Sequence, residues 1–281
     1  MDAYAFFRGS FGHAVVLELK GDLVEHAHSE TQFAFWLGGT RAIAHVGNHL
    51  VKYGENVALG TNAYEAHDTR LVEDEGLAIF LVLYIDQKWL DARRTKTGHS
   101  FSFASPSIPI DDATREACWR VLDIMVSPDD STRNMIDAEV ERLLDAAINS
   151  TLAPAVNAHK HRVRILDSRL RAAITFMREN VSEPLSVEEV ASKVGLSRAH
   201  FYSLFRSQLN TTPQVFWSAI RVEEAVARLT SGADSVTAMA LDLGFSSPGN
   251  FSRFFKEHMG ISPSRFRRIT SNPIHPLTGV N

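Results

Sequence analysis

The sequence has one cysteine, Cys118, and therefore lacks the second thiol that an internal disulfide would need. Long apolar runs are also missing: the longest, Leu77 to Ile85, is about half the length that spans a bilayer. The N-terminus does not have the pattern of a signal peptide. These absences argue against secreted disulfide scaffolds and against membrane-spanning proteins, and we expect a cytoplasmic protein without a membrane partner.

Net charge is low as well, at −4, but it is unevenly distributed. Residues 160–281 contain 16 Lys and Arg against 10 Asp and Glu, whereas residues 1–159 contain 13 against 23. A positive C-terminal half suits contacts with the phosphates of nucleic acid, and a negative N-terminal half does not. The 281 residues, of which 44% are hydrophobic, are enough for two domains.

One pattern occurs twice between Leu185 and Phe266. Four residues recur at a constant offset of 50: Phe201/Phe251, Phe205/Phe255, Pro213/Pro263 and Phe216/Phe266. Each copy begins with a serine that can cap a short apolar helix, and a glycine (Gly195 or Gly244) then permits a sharp turn into a second helix. The pattern predicts two helix-turn-helix units, in which the second helix is suited to the major groove of DNA.

The two copies are joined by a predicted helix from Pro213 to about Ser231. At 1.5 Å per residue it would be about 28 Å long. That length approaches the roughly 34 Å between successive major grooves on one side of B-DNA. A stiff spacer of this size therefore indicates that both units bind one duplex.

Polar residues on the outer faces of the two second helices are the candidate DNA contacts. They are Arg198, His200, Tyr202, Ser203 and Arg206 in the first copy, and Gly249, Asn250, Arg253 and Lys256 in the second. Arg253 is the best candidate for a base contact, because arginine pairs bidentately with guanine. Lys256 and Arg206 lie nearer the helix ends and are better placed for phosphates.

Residues from about Asp167 to Arg268 resemble the DNA-binding domain of the AraC/XylS family of bacterial transcription regulators. The runs from Gly244 to Lys256 and from Gly260 to Arg267 carry the resemblance most specifically. It implies seven helices, with residues 198–208 and 248–258 as recognition helices. It also implies a regulator of transcription rather than an enzyme, with double-stranded DNA and RNA polymerase as partners and no cofactor.

Two positions depart from the family pattern. Ser203 stands where the first recognition helix usually has Arg, which disfavours strong base contacts there. Asn210 stands where Gly is usual, but asparagine tolerates the left-handed backbone conformation, so the turn should survive.

Residues 1 to about 105 predict a β domain, because short apolar or alternating runs are separated by glycine turns. The runs are 15–19, 32–37, 42–46, 57–59 and 77–85. Many short strands at regular spacing indicate a sandwich or a barrel.

A histidine pattern within this region suggests a site. His26, His28, Glu30 and Gln32 would share one face if their segment formed a single strand. The pattern resembles the cupin barrel, in which a His-x-His pair and a later histidine, here His67, meet in one cavity. In regulators of the resembled family such a barrel implies a small-molecule effector site, for which the candidates are His26, His28, Gln32, Trp36, Tyr64 and His67.

Three interpretations of the histidines remain open: an effector-binding lining, a metal site, or hydrogen-bonded structural residues. Three imidazoles and a carboxylate suit a divalent metal, and the candidates are His26, His28, Glu30 and His67. However, cupin enzymes place their glutamate four or five residues after the second histidine, where this chain has Gln32 or Phe33. The missing glutamate therefore predicts that no metal is bound.

Helical periodicity begins at Asp112, with helices predicted at 112–125 and 131–149. In the resembled family such helices pair two subunits, which implies a homodimer; the alternative is that they only cover the barrel. The expected fold is therefore α+β and multidomain. A cupin-like β-barrel with packed helices (1–153; barrel about 1–105, helices about 111–152) is followed by a linker (154–166), an all-α domain of two helix-turn-helix units joined by a linker helix (167–268), and a disordered tail (269–281).

Two rival functions differ in class from an effector-controlled transcription regulator. The first is a metal-dependent cupin enzyme, such as a dioxygenase or isomerase, fused to a DNA-binding domain. The second is an architectural DNA-binding protein whose barrel serves only for dimerisation.

Overall fold

The computed structural model describes residues 2–73, 75–97, 102–126, 135–151, 166–183, 185–232 and 234–271. The expected linker lies outside the described residues except for Leu166, and the expected tail lies outside them beyond Ser271. The start of the second predicted helix of the N-terminal region, residues 131–134, also lies outside them.

Ten antiparallel strands form two sheets in the described N-terminal region. Their bounds are β1 (Asp2–Gly9), β2 (Gly12–Leu19), β3 (Leu23–His26), β4 (Thr31–Gly39), β5 (Ala42–Val46), β6 (His49–Lys52), β7 (Val57–Thr61), β8 (His67–Leu71), β9 (Ala78–Ile85) and β10 (Ser107–Pro109). One sheet has the order β1-β2-β9-β4-β7-β10 and the other β3-β8-β5-β6. All five predicted runs coincide with strands, except that Leu77 lies one residue before β9.

The two sheets pack face to face, and Tyr53 of one meets Phe80 of the other with ring centroids 4.9 Å apart. Because no hydrogen-bonded strand pair joins the two sheets among the described residues, the β domain is an open sandwich rather than a closed barrel. The predicted N-terminal β domain is confirmed, but the expected cupin-like barrel is not closed.

Strand β9 shows how the sheet serves two cores. Its side chains alternate between faces, as β geometry requires. Phe80, Val82 and Tyr84 enter the core between the sheets. Leu81 and Leu83 pack on the opposite face with two helices, α2 (Asp112–Val126) and α3 (Ile136–Thr151), which follow a first helix, α1 (Gln87–Thr97). The run at 77–85 is thus continuously apolar because both faces are buried.

Seven helices form the described C-terminal region, as the family resemblance implies. They are α4 (Ser168–Glu179), α5 (Val187–Lys193), α6 (Arg198–Leu209), α7 (Pro213–Ser231), α8 (Val236–Asp242), α9 (Pro248–Met259) and α10 (Pro263–Ser271). Helix α10 continues to Ser271, so the expected tail boundary at residue 269 is wrong by three residues. No described helix of the chain is both long and apolar enough to cross a membrane.

Local caps explain most of these boundaries. Ser186 and Glu189 form a reciprocal capping box at the start of α5. The hydroxyls of Ser197 and Ser247 accept from backbone N–H groups at the starts of α6 and α9. Asn210 ends α6 with φ 52° and ψ 28°, the left-handed conformation that the sequence predicted it would tolerate.

This left-handed position yields a test. Alanine in that conformation costs roughly 1–2 kcal/mol, whereas glycine adopts it freely. We expect Asn210→Ala to lower the free energy of unfolding by about 1 kcal/mol and Asn210→Gly to leave it unchanged or raised, as measured by urea denaturation of the full chain. Equal destabilisation by both substitutions would contradict a conformational role for Asn210.

Candidate functional site

The outer face of α6 carries the first set of predicted DNA contacts. Arg198, His200, Ser203 and Arg206 are exposed. Tyr202 is half-buried, and its hydroxyl bonds the Gln214 amide at the start of α7. Arg198 pairs with Glu188 at 2.9 Å, but both side chains are more than half exposed, so the pair can be replaced by phosphate at little cost.

The outer face of α9 carries the second set, and here the arrangement is more open. Gly249, Asn250, Arg253 and Lys256 are exposed. Asn250 donates to the Ser246 hydroxyl at 2.7 Å, which holds its amide at the N-terminal end of the helix. The structure therefore brings all nine predicted DNA residues to the surfaces of the two recognition helices. Their individual contacts with DNA stay predictions.

Helix α7 connects the two units as a single uninterrupted helix of 19 residues. Pro213 occupies its first turn, and Gly232 ends it in the left-handed conformation. A continuous helix of this length keeps the spacing between the units fixed.

The histidine cluster lies at one end of the sandwich. His26 ends β3, His67 begins β8 opposite it, and His28 lies in the connection between β3 and β4. All three side chains are buried, and one nitrogen of each ring lies within 4.8 Å of the corresponding nitrogens of the other two. Ring centroids are 4.3 Å apart for His26 and His67, and 5.0 Å for His28 and His67.

The segment from His26 to Gln32 is not one strand, contrary to the expectation. It leaves β3 at His26 and re-enters the sheet at β4, so alternation does not set the direction of its side chains. Gln32 still reaches the cluster, with Oε1 2.8 Å from His28 Nε2. The Glu30 carboxylate instead lies 3.8 Å from His28 Nδ1, on the side of the ring away from Gln32.

A small cavity adjoins the cluster between the sheets. The cavity volume is about 30 Å³, enough for one or two waters or an ion. Its lining combines apolar strand residues with His26, Gln32, His67 and Tyr84, and His258 of α9 completes the wall.

Two predicted effector residues, Trp36 and Tyr64, do not line the cavity. Each side chain forms its hydrogen bonds outside it. Trp36 is partly buried at the far end of β4, where its indole N–H donates to the Thr40 carbonyl at 3.2 Å. The Tyr64 hydroxyl donates to Glu223 of α7 at 3.0 Å and also bonds Arg178. Tyr64 therefore belongs to the contact between the β domain and the helical domain.

His258 was missed by the sequence predictions. It lies seven residues after Phe251 and three after Phe255, on the apolar side of α9 rather than on its outer face. That spacing indicates that His258 faces inward, although it does not indicate what His258 contacts. Its Nδ1 lies 2.8 Å from the Phe254 carbonyl, and its ring is 6.0 Å from that of His26.

Burial disfavours the charged form of His26, His67 and His258, and so lowers the pKa of each. Desolvation, followed by the nearby His28, lowers the pKa of His26 to about 3. Desolvation also places the pKa of His67 well below 6.5 and lowers the pKa of His258. Neutral imidazoles offer lone pairs, which suits hydrogen-bond donors or a metal ion and disfavours binding of an anion.

Comparison with known proteins assigns the double helical motif. A model described as a helix-turn-helix domain matches residues 190–269. The C-terminal domain is of the AraC type.

Two curated relatives match over a little more than a third of the chain. The raffinose operon transcriptional regulatory protein RafR of Pediococcus pentosaceus is 33% identical over 96 residues, which cover 34% of this chain and 35% of RafR. The lactose operon transcription activator of Staphylococcus xylosus is 29% identical over 106 residues, 38% of each chain. The chain thus spans little more than a third of the length of either relative.

A solved structure matches along the whole chain. ToxT of Vibrio cholerae strain SCE256, in a crystal structure with bound unsaturated fatty acid, aligns with a TM-score of 0.52 at 15% identity, covering 100% of this chain and 98% of ToxT. The similarity shows that the β domain and the AraC-type domain occur together in a known fold.

The buried His13, which stacks on the cavity residue Tyr84, predicts that the stability of the fold depends on pH. His13 is buried between Phe6 and Tyr84, and desolvation lowers its pKa from 6.5 to about 3. The unfolded chain takes up a proton there below pH 6.5 while the folded chain does not, so stability is fully present above that pH and is lost as pH falls. Replacing His13 by Phe should reduce the loss of unfolding free energy between pH 7 and pH 5 by about 2 kcal/mol.

Urea titrations of the wild type and His13→Phe at both pH values measure this difference. The matched control is His49→Phe, because His49 is exposed on β6. An unchanged pH dependence in His13→Phe would mean that His13 is not held neutral in the folded chain.

Proposed function

We propose that this chain is a sequence-specific DNA-binding transcription regulator whose β domain binds a small effector. The observation that carries the proposal is the pair of N-capped recognition helices, α6 and α9, on either side of the rigid α7. A helix-turn-helix pair presents such helices to successive major grooves. The positive balance of residues 160–281 supports attraction to the duplex.

Roles within the recognition helices follow from position and chemistry. Arg253 is exposed in the middle of α9, where a guanidinium can pair with both acceptors of a guanine. Asn250 is one turn earlier and can pair with adenine. Lys256 and Arg206 lie toward the helix ends and contact phosphates. Ser203 leaves α6 with fewer base contacts than α9.

The position of α9 supports regulation by a ligand. Arg253, Lys256 and Glu257 border a surface groove whose other wall is the turn between β2 and β3, around Lys20 and Asp22. The turn thus stands beside the face of α9 that would contact DNA, so the arrangement of the two domains affects access to that face. A ligand that binds one arrangement of the two domains better than another shifts the balance between them.

The structure of ToxT with an unsaturated fatty acid supports a small-molecule effector for this chain. A chain-like molecule is too large for the cavity of about 30 Å³ in the present arrangement. Larger effectors therefore require His258 to move out of the cavity wall. Effector binding and displacement of α9 are then the same event.

The regulator is further proposed to act as a homodimer and to contact RNA polymerase. Trp119 and Val126 lie seven residues apart on one side of α2 and are 45% and 54% exposed, and Met135 before α3 is 50% exposed. A second copy of the chain would cover this apolar surface, as the resemblance to paired subunits implies. RNA polymerase contacts rest on the family resemblance alone.

Selection of binding sites from random duplex DNA with the full chain tests the central proposal. We expect a motif with two half-sites about one helical turn apart. Recovery of no motif, from the purified chain and from the chain supplied with cell extract as a source of effector, would contradict sequence-specific binding.

Arg253→Ala should cost about 1–3 kcal/mol of binding free energy on the selected site and much less on random duplex. The matched control is Lys256→Ala on the same helix, which should weaken both duplexes similarly and reduce the salt dependence by about one ion. Fluorescence anisotropy at several salt concentrations measures both effects. Equal losses on both duplexes for Arg253→Ala would instead assign Arg253 to phosphate.

Trp119→Glu should convert a dimer to a monomer, because a charge would be buried in the contact between subunits. Leu50→Glu is the matched control, since Leu50 is 51% exposed on β6, away from α2. Sedimentation of the three proteins measures their mass. A dimer that survives Trp119→Glu would exclude this surface as the interface.

A further inference from the structure

The hydrogen bonds of the clustered histidines share one feature. Nδ1 of His26 lies 2.9 Å from the Val24 carbonyl, Nδ1 of His28 lies 2.9 Å from the Glu30 carbonyl, and Nδ1 of His67 lies 2.9 Å from the Glu65 carbonyl. A carbonyl only accepts, so Nδ1 carries the proton in each ring and Nε2 carries the lone pair. Histidines that bind metals are held in this way.

The lone pairs are not all used by the protein. His67 Nε2 is buried and has no hydrogen-bond partner among the described residues. His28 Nε2 faces Gln32 Oε1 at 2.8 Å, so two acceptors meet. Rotation of the Gln32 amide would resolve the second contact, but no rotation supplies a donor to His67. A metal cation would accept the lone pairs of both His28 Nε2 and His67 Nε2.

His258 has the same arrangement although it comes from the other domain. Its Nδ1 lies 2.8 Å from the Phe254 carbonyl, which leaves its Nε2 as the lone-pair atom. Its ring is 6.0 Å from that of His26, which matches the 6.1 Å between His26 and His28 inside the cluster. His258 therefore lies about as far from His26 as His28 does, although it is not part of the group whose ligand nitrogens all lie within 4.8 Å of one another.

We propose that His26, His28 and His67 bind a divalent transition-metal ion such as Zn²⁺, and that His258 of α9 provides the fourth ligand. Four imidazoles suit the tetrahedral coordination that Zn²⁺ prefers. The cavity has room for an ion and little else. The ion joins the β domain directly to the recognition helix, so its presence holds α9 away from DNA.

Glu30 takes an outer role in this site. Its carboxylate is 3.8 Å from His28 Nδ1, too far along the wrong side of the ring to be a ligand. A carboxylate behind a metal-bound histidine raises the basicity of the ring and balances part of the ionic charge. This position explains the partly buried acid beside the histidine cluster better than ligation does.

The metal part of this inference stands independently of DNA binding, whereas its regulatory part rests on the proposed function. The first experiment titrates the full-length, chelator-treated chain with Co²⁺ and then with Zn²⁺. We expect one ion per chain, a visible Co²⁺ absorption band typical of four nitrogen ligands, its loss when Zn²⁺ is added, and a higher unfolding temperature with Zn²⁺. No binding at micromolar Co²⁺ or Zn²⁺ would overturn the site.

Histidine variants separate the ligands. His67→Ala should weaken binding at least about 100-fold, and His258→Ala should weaken it about 10-fold and alter the Co²⁺ band while leaving binding detectable. His200→Ala is the control, because His200 is exposed on α6. Circular dichroism checks that each variant is folded; should His67→Ala not fold, His258→Ala still decides, because His258 is only partly buried. An unchanged band in His258→Ala would remove the fourth ligand.

Regulation is measured on the selected DNA site. The Zn²⁺-loaded wild type should bind DNA about 10-fold more weakly than the metal-free chain, and His258→Ala should lose most of this difference. Equal affinities of loaded and metal-free wild type would overturn the regulatory part and leave the metal titration valid. Absence of DNA binding in both forms would contradict the proposed function but not the metal site.

Discussion

The outward faces of the two recognition helices depend on pairs of buried phenylalanines. In α6 the rings of Phe201 and Phe205 pack edge to face, and Phe205 continues onto Phe216 of α7 with centroids 5.4 Å apart. In α9 Phe255 packs on Phe266 of α10 at 5.5 Å in the same way. These rings are fully or almost fully buried, so rotation of either helix would expose large apolar surfaces. The fixed rotation is what directs the polar residues to solvent.

Helix α9 belongs both to the outer surface of the helical domain and to the wall of the cavity in the β domain. Its 12 residues present an apolar side to their own domain, a polar side containing Arg253, and an edge at His258 that completes the cavity of the β domain. A helix this short moves as a rigid body, so a displacement at His258 reaches Arg253 without any further mechanism. The regulation proposed for this chain therefore needs no long series of coupled residues, because α9 is both part of the cavity wall and a proposed recognition helix.

The helical domain was predictable from sequence because its signals are local. Ser186 with Glu189, Pro213 and Gly232 determine helix ends within a few residues of themselves, and the structure places all of them as expected. The cavity was only half predictable. His26, His28 and His67 were found by pattern, whereas Trp36 and Tyr64 were assigned by residue type and lie elsewhere. The approach of His258 depends on how two domains meet, and no spacing along the chain encodes that contact.

The polar contacts between the domains are few and replaceable. Arg8 donates to Thr230, Arg265 donates to the Ala3 carbonyl, and Tyr64 bonds Glu223 and Arg178. Water can satisfy most of these groups, so each contributes only about 1 kcal/mol to holding the domains together. Apolar contacts add to them, since Phe6 packs on Phe266 and Tyr64 on Phe216, so a ligand reverses the balance only if it prefers the other arrangement by more than these contacts supply together. The strength of the contact between the domains thus sets how much binding free energy a ligand must supply in the regulation proposed for this chain.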